Sequence, residues 1–308
     1  MSSELEQAAA QAAGAGEAAH GAVEGAAGAA AGHDMGAQIT ENIIHHITNS
    51  NEIELPFVGA VHLPRIDLFG IDLSITKHVI MMWAAGVILL LLFGLAFRRR
   101  SLVPRGIANL LEIGVQFVRD EIAIKNLGPK DGRRLTPYLL TVFFFILTCN
   151  LLGLVPYAAT ATGNISVTGA LALCTLVLVQ VEGIRRHGLF KHYKHMIPGG
   201  LPLWLFPVAI LIFAIELLGF IVLKPFALMV RLFANMTAGH VAILAFISIV
   251  FALQAVFPPA VAAGAGAGLS VPFALFVYLI EILVALIQAY VFTMLTSLFV
   301  GLSLHPAH

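Results

Sequence analysis

From Leu201 to Leu304 the chain is one nearly continuous apolar tract, broken mainly at Pro258-Pro259 and along a Gly/Ala run reaching Gly268. About 20 apolar residues suffice for a helix to cross the hydrocarbon core of a bilayer. The stretch from Leu201 to Phe257 far exceeds that, so it must tilt steeply, kink near Pro225 or lie partly along the membrane. Composition points the same way. Of the 308 residues, 59% are hydrophobic and 11% charged, whereas soluble domains carry about 25% charged residues. A soluble fold is excluded. Seventeen basic residues balance seventeen acidic ones, so no overall basic excess suggests nucleic acid, and the placement of charge carries the information instead.

Ahead of the tract the chain divides readily. Residues 1–32, nearly all Ala, Gly, Glu and Gln, are too poor in bulky apolar groups to form a core and read as a mobile tail. Residues 33–77, punctuated by Pro56, Pro64 and Gly70, read as an extramembrane segment with one helix around Ile39 to Thr48. The membrane domain then runs over 78–304. Its first span, His78 to Phe97, is closed by Arg98-Arg99-Arg100. With Arg105, Lys130, Arg133 and Arg134, the loop 98–134 is basic, as cytoplasmic loops are. Within it Ile107, Leu110, Leu111, Ile113, Phe117 and Val118 recur at helical spacing, the pattern of a surface-lying amphipathic helix. Pro137 to Pro156 and Ser166 to Ile184 form the second and third spans, joined by the short polar turn TATGN, and the strongly basic segment 185–195 follows. The expectation is an all-α integral membrane protein. It has about five spanning helices and one surface amphipathic helix, the last two spans long and tilted as a hairpin, with the N-terminus outside and the C-terminus cytoplasmic.

Several classes of chemistry leave no trace. Cys149 and Cys174 lie in apolar stretches without a CxxC pair and read as inert packing residues. The pairs His45-His46, His192 with His195, and His305 with His308 lack accompanying Cys or well-spaced acids, so they read as solvated histidines and no metal is assigned. With no phosphate loop, GxGxxG turn or nucleophile elbow, the chain has no visible means of holding a nucleotide or other cofactor.

The informative residues are charges where charges are expensive. Glu216, Lys224, Arg231, His240 and Glu281 fall inside the apolar tract, where each costs about 3 kcal/mol at the bilayer centre. Arg231 is the most telling. Its helical neighbours Ala227, Leu228, Ala234 and Asn235 include no acid, so its counter-charge must come from elsewhere. An arginine does not release its proton, which suits a fixed positive barrier or a carboxylate partner and not a proton relay. His240, nine residues on, lies on the opposite side of the helix about 13.5 Å along its axis. Histidine ordinarily titrates near neutrality, which suits proton passage. Glu281 and Gln288 are seven apart and share a face, with Tyr278 one turn before Glu281. Glu216, fifteen residues before Arg231, lies about 22 Å from it on a continuous helix and is a candidate for lining an entry path.

The segment Lys224-Pro225-Phe226-Ala227-Leu228-Met229-Val230-Arg231-Leu232-Phe233-Ala234-Asn235-Met236-Thr237-Ala238-Gly239-His240 resembles the signature of subunit a of rotary F-type ATP synthases. Three further pieces fall in that family's order: Asn150 to Pro156, Asn164 to Thr168, and Leu286 to Phe292. The resemblance covers roughly residues 75 to 304. It implies that Arg231 faces the proton-carrying carboxylates of a c-subunit ring, with Asn235 one turn further along, and that Gln288 lies near Arg231. It also implies that His240 and Glu281 form the polar pair of the outer half-channel, in the reverse order of some members. Glu216 departs slightly from the family spacing. The partners implied are the c-ring, the b-subunit peripheral stalk and the other ATP synthase subunits, in a bacterial-type inner membrane. ATP formation itself then belongs to other subunits. The alternative from a different class is a self-contained proton-coupled secondary transporter, although no inverted repeat is apparent.

The two basic loops set the topology test. In a background lacking Cys149 and Cys174, a cysteine placed in 185–195 is expected to resist a membrane-impermeant thiol reagent added to intact cells. Labelling from outside overturns the orientation.

Overall fold

The computed structural model describes residues 76–98, 105–155, 160–194, 206–254 and 258–305, together with four short strands between residues 52 and 72. The helix expected around Ile39 to Thr48 and the tail 1–32 lie outside the described residues. Strands β1 (Glu52–Leu55) and β2 (Gly59–His62) pair antiparallel with Glu52 opposite His62, and β3 (Asp67–Leu68) pairs with β4 (Ile71–Asp72).

The membrane domain is helical. Its elements are α1 (Lys77–Ala96), α2 (Ile107–Phe117), α3 (Lys125–Gly153), α4 (Ile165–His187), α5 (Leu189–Lys194), α6 (Phe206–Leu218), α7 (Lys224–Gln254) and α8 (Pro259–Leu304). Two π-helical runs, Val118–Ile124 and Gly219–Leu223, join α2 to α3 and α6 to α7. The described residues contain five helices long and apolar enough to cross a membrane: Lys77–Ala96, Ile107–Gly153, Ile165–His187, Ile210–Phe246 and Ser270–Leu304.

Local chemistry accounts for the breaks. Gly128 has φ 79°, a conformation L side chains rarely adopt, and Pro129 follows, so α3 is interrupted there and resumes toward the span. The kink expected near Pro225 takes the form of the π run just before it, in which the Lys224 N–H reaches back five residues to the Gly219 carbonyl. A break is present at Pro258-Pro259, where α7 has ended at Gln254 and Pro259 opens α8. The Gly/Ala run through Gly268 is not a break, because α8 continues through it. Alanine is the best helix former, and a glycine costs only about 1 kcal/mol against it.

Two compact units divide the described chain. One comprises residues 49–239 and 279–308; the other is built on His240–Tyr278. In the first, Val118, Ile122, Leu135, Leu139, Val142, Phe143 and Ile146 form a core with Ala172 and Val179 of α4 and with Leu228, Leu232, Ala289, Phe292 and Val300 of the last helices. Phe93 of α1 meets Phe144 edge-on at 5.0 Å. In the second unit, Phe246 and Phe273 stack at 5.7 Å.

Small polar groups stitch the first unit together, as they do between membrane helices generally. Ser297 donates to the Ile122 carbonyl at 3.2 Å, Ser303 donates to that of Val179 at 3.0 Å, and the Thr175 and Thr296 hydroxyls lie 3.3 Å apart. The first half of the expected polar turn between the second and third spans is buried. Thr160 and Thr162 are enclosed, and the Asn164 side chain caps α4 by accepting from the Ser166 N–H.

Two sequence expectations need correction. His192 is not solvated; it is buried, its Nε2 lies 3.1 Å from Gln180 Oε1, and its ring meets Phe220. The short α5 folds back on α4 and carries His192 into that position. Cys149 is buried as expected, but Cys174 is exposed and faces outward.

Glu182, buried on α4, is paired with the half-exposed Arg134 of α3. Removing one partner strands a buried carboxylate, a penalty of up to 3–5 kcal/mol for fully buried pairs that partial exposure reduces to about 1–3 kcal/mol. Arg134→Met is therefore expected to lower the thermal stability of the solubilised complex. The double change Arg134→Met with Glu182→Leu is expected to recover most of the loss in the same melting measurement.

Candidate functional site

The site is built on α7, which sorts its side chains into two faces. Leu228, Leu232, Met236 and Gly239 recur at helical spacing and are buried, so they seat α7 in the first unit. Ala227, Arg231, Ala234, Asn235 and Ala238 recur in the same way and are exposed. Arg231 therefore projects from a strip of short side chains, with Asn235 one turn further on the same face. Among the described residues no ion pair or hydrogen bond reaches its guanidinium. The sequence inference that its counter-charge lies outside its own helix thus extends to the rest of the described chain.

α8 presents the complementary pattern. Glu281 is 4% exposed and Gln288 6%, and both lie on the buried face with Ala285, Ala289 and Phe292. The stripe read from their seven-residue spacing is present, and it faces inward. Gln288 is buried where Arg231 is exposed, and no hydrogen bond joins the two.

The Glu281 carboxyl rests directly against the α7 backbone at Gly239, in space that any β-carbon there would occupy. Gly239 is the residue immediately before His240 in the chain. The carboxyl's Oε2 has no hydrogen-bond partner among the described residues. A buried oxygen without a partner is unusual, and in a site it marks a place for a proton or a polar visitor. His240 itself is half-buried. Glu216 is exposed on α6, on the far side of the π run from Arg231, so a uniform 100° per residue does not describe their relative rotation.

Further polar residues attach to the α8 stripe from the second span. Asn150, fully buried, accepts from the Thr162 hydroxyl at 2.6 Å and donates to the Ala285 carbonyl at 3.4 Å, between Glu281 and Gln288 along α8. Asn150 belongs to a motif visible in the sequence, but its contact spans 135 residues and no local spacing announces it. Gly239 gave no signal of its own either, since its importance lies in the side chain it lacks.

The family model of the ATP synthase A chain matches residues 79–301. This chain belongs to that family. Among its relatives, ATP synthase subunit a of Myxococcus xanthus is 52% identical over 241 residues, covering 77% of this chain and 75% of the relative. ATP synthase subunit a of Chloroherpeton thalassium is 45% identical over 272 residues, covering 86% and 77%, and that of Anaeromyxobacter dehalogenans is 48% identical over 275 residues, covering 85% and 70%. As a member of the ATP synthase A chain family, the protein is an integral membrane component of the ATP synthase membrane sector. The match begins just inside α1 and ends in the last turn of α8, so it takes in every spanning helix.

The Gly239 contact yields a direct test. Adding a methyl group in Gly239→Ala is expected to push the Glu281 carboxyl out of its seat, with overpacking costs of about 1–3 kcal/mol. Modification of Glu281 by a hydrophilic carbodiimide, followed by mass spectrometry, should then rise above the level in the unaltered protein. Unchanged labelling means the carboxyl does not depend on this space.

Proposed function

We propose that the chain is the proton-conducting stator subunit of an F-type ATP synthase, forming two offset half-channels that load and unload the carboxylates of a c-subunit ring. The observation that carries the proposal is the Arg231 guanidinium, exposed on a strip of alanines with no partner within the described chain. A permanent cation at membrane depth needs an anion close by, and the short side chains around it allow another helix to approach. A ring helix bearing a carboxylate meets both requirements.

In this reading protons arrive from outside past Glu281 and His240, neutralise a ring carboxylate, travel with the rotating ring and leave on the side of the basic loops. The family resemblance underlies the roles of His240, Glu281, Asn235 and Gln288. The unpartnered oxygen of Glu281 suits a proton acceptor. Arg231 blocks a direct shortcut because its charge repels a cation and an arginine does not release its proton. Asn235 shares its face and borders the same ring helix, whereas Gln288 lines the inward side of α8. Glu216 is assigned to the access path on the loop side. The b-subunit stalk holds the chain against the torque, and other subunits form ATP. Each charge moving down 100 mV releases about 2.3 kcal/mol, so several in sequence supply the work of rotation. The orientation that goes with this has the N-terminus outside and the C-terminus in the cytoplasm of a bacterial-type cell.

In vesicles containing the assembled complex, Arg231→Ala is expected to abolish proton-driven ATP synthesis and to open a passive proton leak. Arg231→Lys is expected to fail substantially as well, because a lysine, unlike an arginine, can lose its proton when buried, and it lacks the planar fork of donors. Normal coupled synthesis in an assembled Arg231→Ala complex would falsify the role.

A further inference from the structure

Lys224 opens α7 seven residues before Arg231, a spacing that sets the two on nearly one side of the helix about 10.5 Å apart along its axis. It is half-buried, and among the described residues it forms no ion pair. Its ammonium instead lies 4.6 Å from the centre of the Phe220 ring and 5.4 Å from that of Phe299. The two rings come from different elements, the π run before α7 and the last turns of α8. Around the same small cavity stand Thr175, Leu176, Val179, Pro225 and Leu228, none of them ionisable. Glu216 on α6 acts on Lys224 through its charge at longer range, and Arg231 is the other charged group on the lysine's own helix.

The manner of holding matters more than the holding. A carboxylate partner would make the lysine half of a neutral pair whose field dies away over a short distance. Aromatic rings attract a cation through their quadrupole and carry no net charge, so the rings themselves do not neutralise the ammonium, and the distant Glu216 offsets it only in part. The position is also defined. Phe220 touches His192 of α5, and α8 ends one turn beyond Phe299, where the Leu304 carbonyl meets the His187 ring. Lys224 therefore lies on the basic-loop side of Arg231.

We propose that Lys224 is a positioning residue for proton release: held by Phe220 and Phe299 without a salt-bridged acid, its charge favours the ionised form of a ring carboxylate on the basic-loop side of Arg231. The inference rests on the function proposed above. At about 10 Å and an effective dielectric constant of about 20, the effect corresponds to about one unit in the pH at which that carboxylate releases its proton.

The test uses the whole ATP synthase in vesicles, with pH varied only on the side of the basic loops while proton-driven ATP synthesis is followed. Lys224→Met keeps the apolar stem and removes the charge. Its profile is expected to shift toward higher pH by about one unit, because the proton is now held more tightly. Lys224→Arg, which retains the charge and stacks on the same rings, is expected to restore the original profile. An unshifted profile in Lys224→Met, or a loss equal at every pH, overturns the inference. Should Lys224→Met fail to assemble, Phe299→Leu, which removes one ring, carries the test: a smaller shift in the same direction supports the inference and an unshifted profile overturns it. Loss of the Arg231 role would show in Arg231→Ala, whereas an unshifted Lys224→Met profile with Arg231-dependent synthesis intact rejects only this inference.

Discussion

An arginine at membrane depth is a permanent cation, and α7 carries one on a face that the described residues of its own chain do not cover. Much of the described structure follows from keeping that face open. Leu228, Leu232 and Met236 bind the opposite side of α7 into the core, so the helix is anchored without using the arginine's surface. Ala227, Ala234 and Ala238 leave room around the guanidinium. The helix can therefore be rigid and still present a charge to a partner outside the chain.

The surrounding spans are held together largely by groups that a soluble protein would use sparingly at its centre. Hydroxyls and one amide reach backbone carbonyls of neighbouring helices at Ile122, Val179 and Ala285. Apolar association gains little when the solvent is itself hydrocarbon, so close packing and hydrogen bonds must supply the specificity. Asn150 is the clearest instance. It ties the turn after the second span to α8 between Glu281 and Gln288, and so links the geometry of the buried stripe to the loop that encloses it.

The five spans, the basic loops and the isolated Arg231 were legible in the sequence because each depends on local composition or on periodicity. What escaped depends on contacts distant in sequence. The turn around Thr160 and Thr162 reads only as short and polar, yet Asn150 gives it a buried partner. His192 looks like one of several solvated histidines, and only the fold brings Gln180 and Phe220 to it. The Gly/Ala run before Gly268 reads as a break because glycine is a poor helix former, while the alanines among those glycines favour helix. Gly239 is legible only after Glu281 has been placed against it.

The π run at Gly219–Leu223 makes the α6–α7 rod two helices joined end to end, each with its own phase. Hydrogen bonds that skip one residue further absorb a surplus residue without interrupting the rod. Distance in sequence between Glu216 and Arg231 is therefore a poor ruler for their angular relation. A relative with one residue fewer in this stretch can close the wide turn to an ordinary one while Arg231 keeps the same face, and only the outward direction of the upstream acid rotates. The two ends of this rod are thus free to diverge separately, the arginine end bound by its packing and the Glu216 end adjustable.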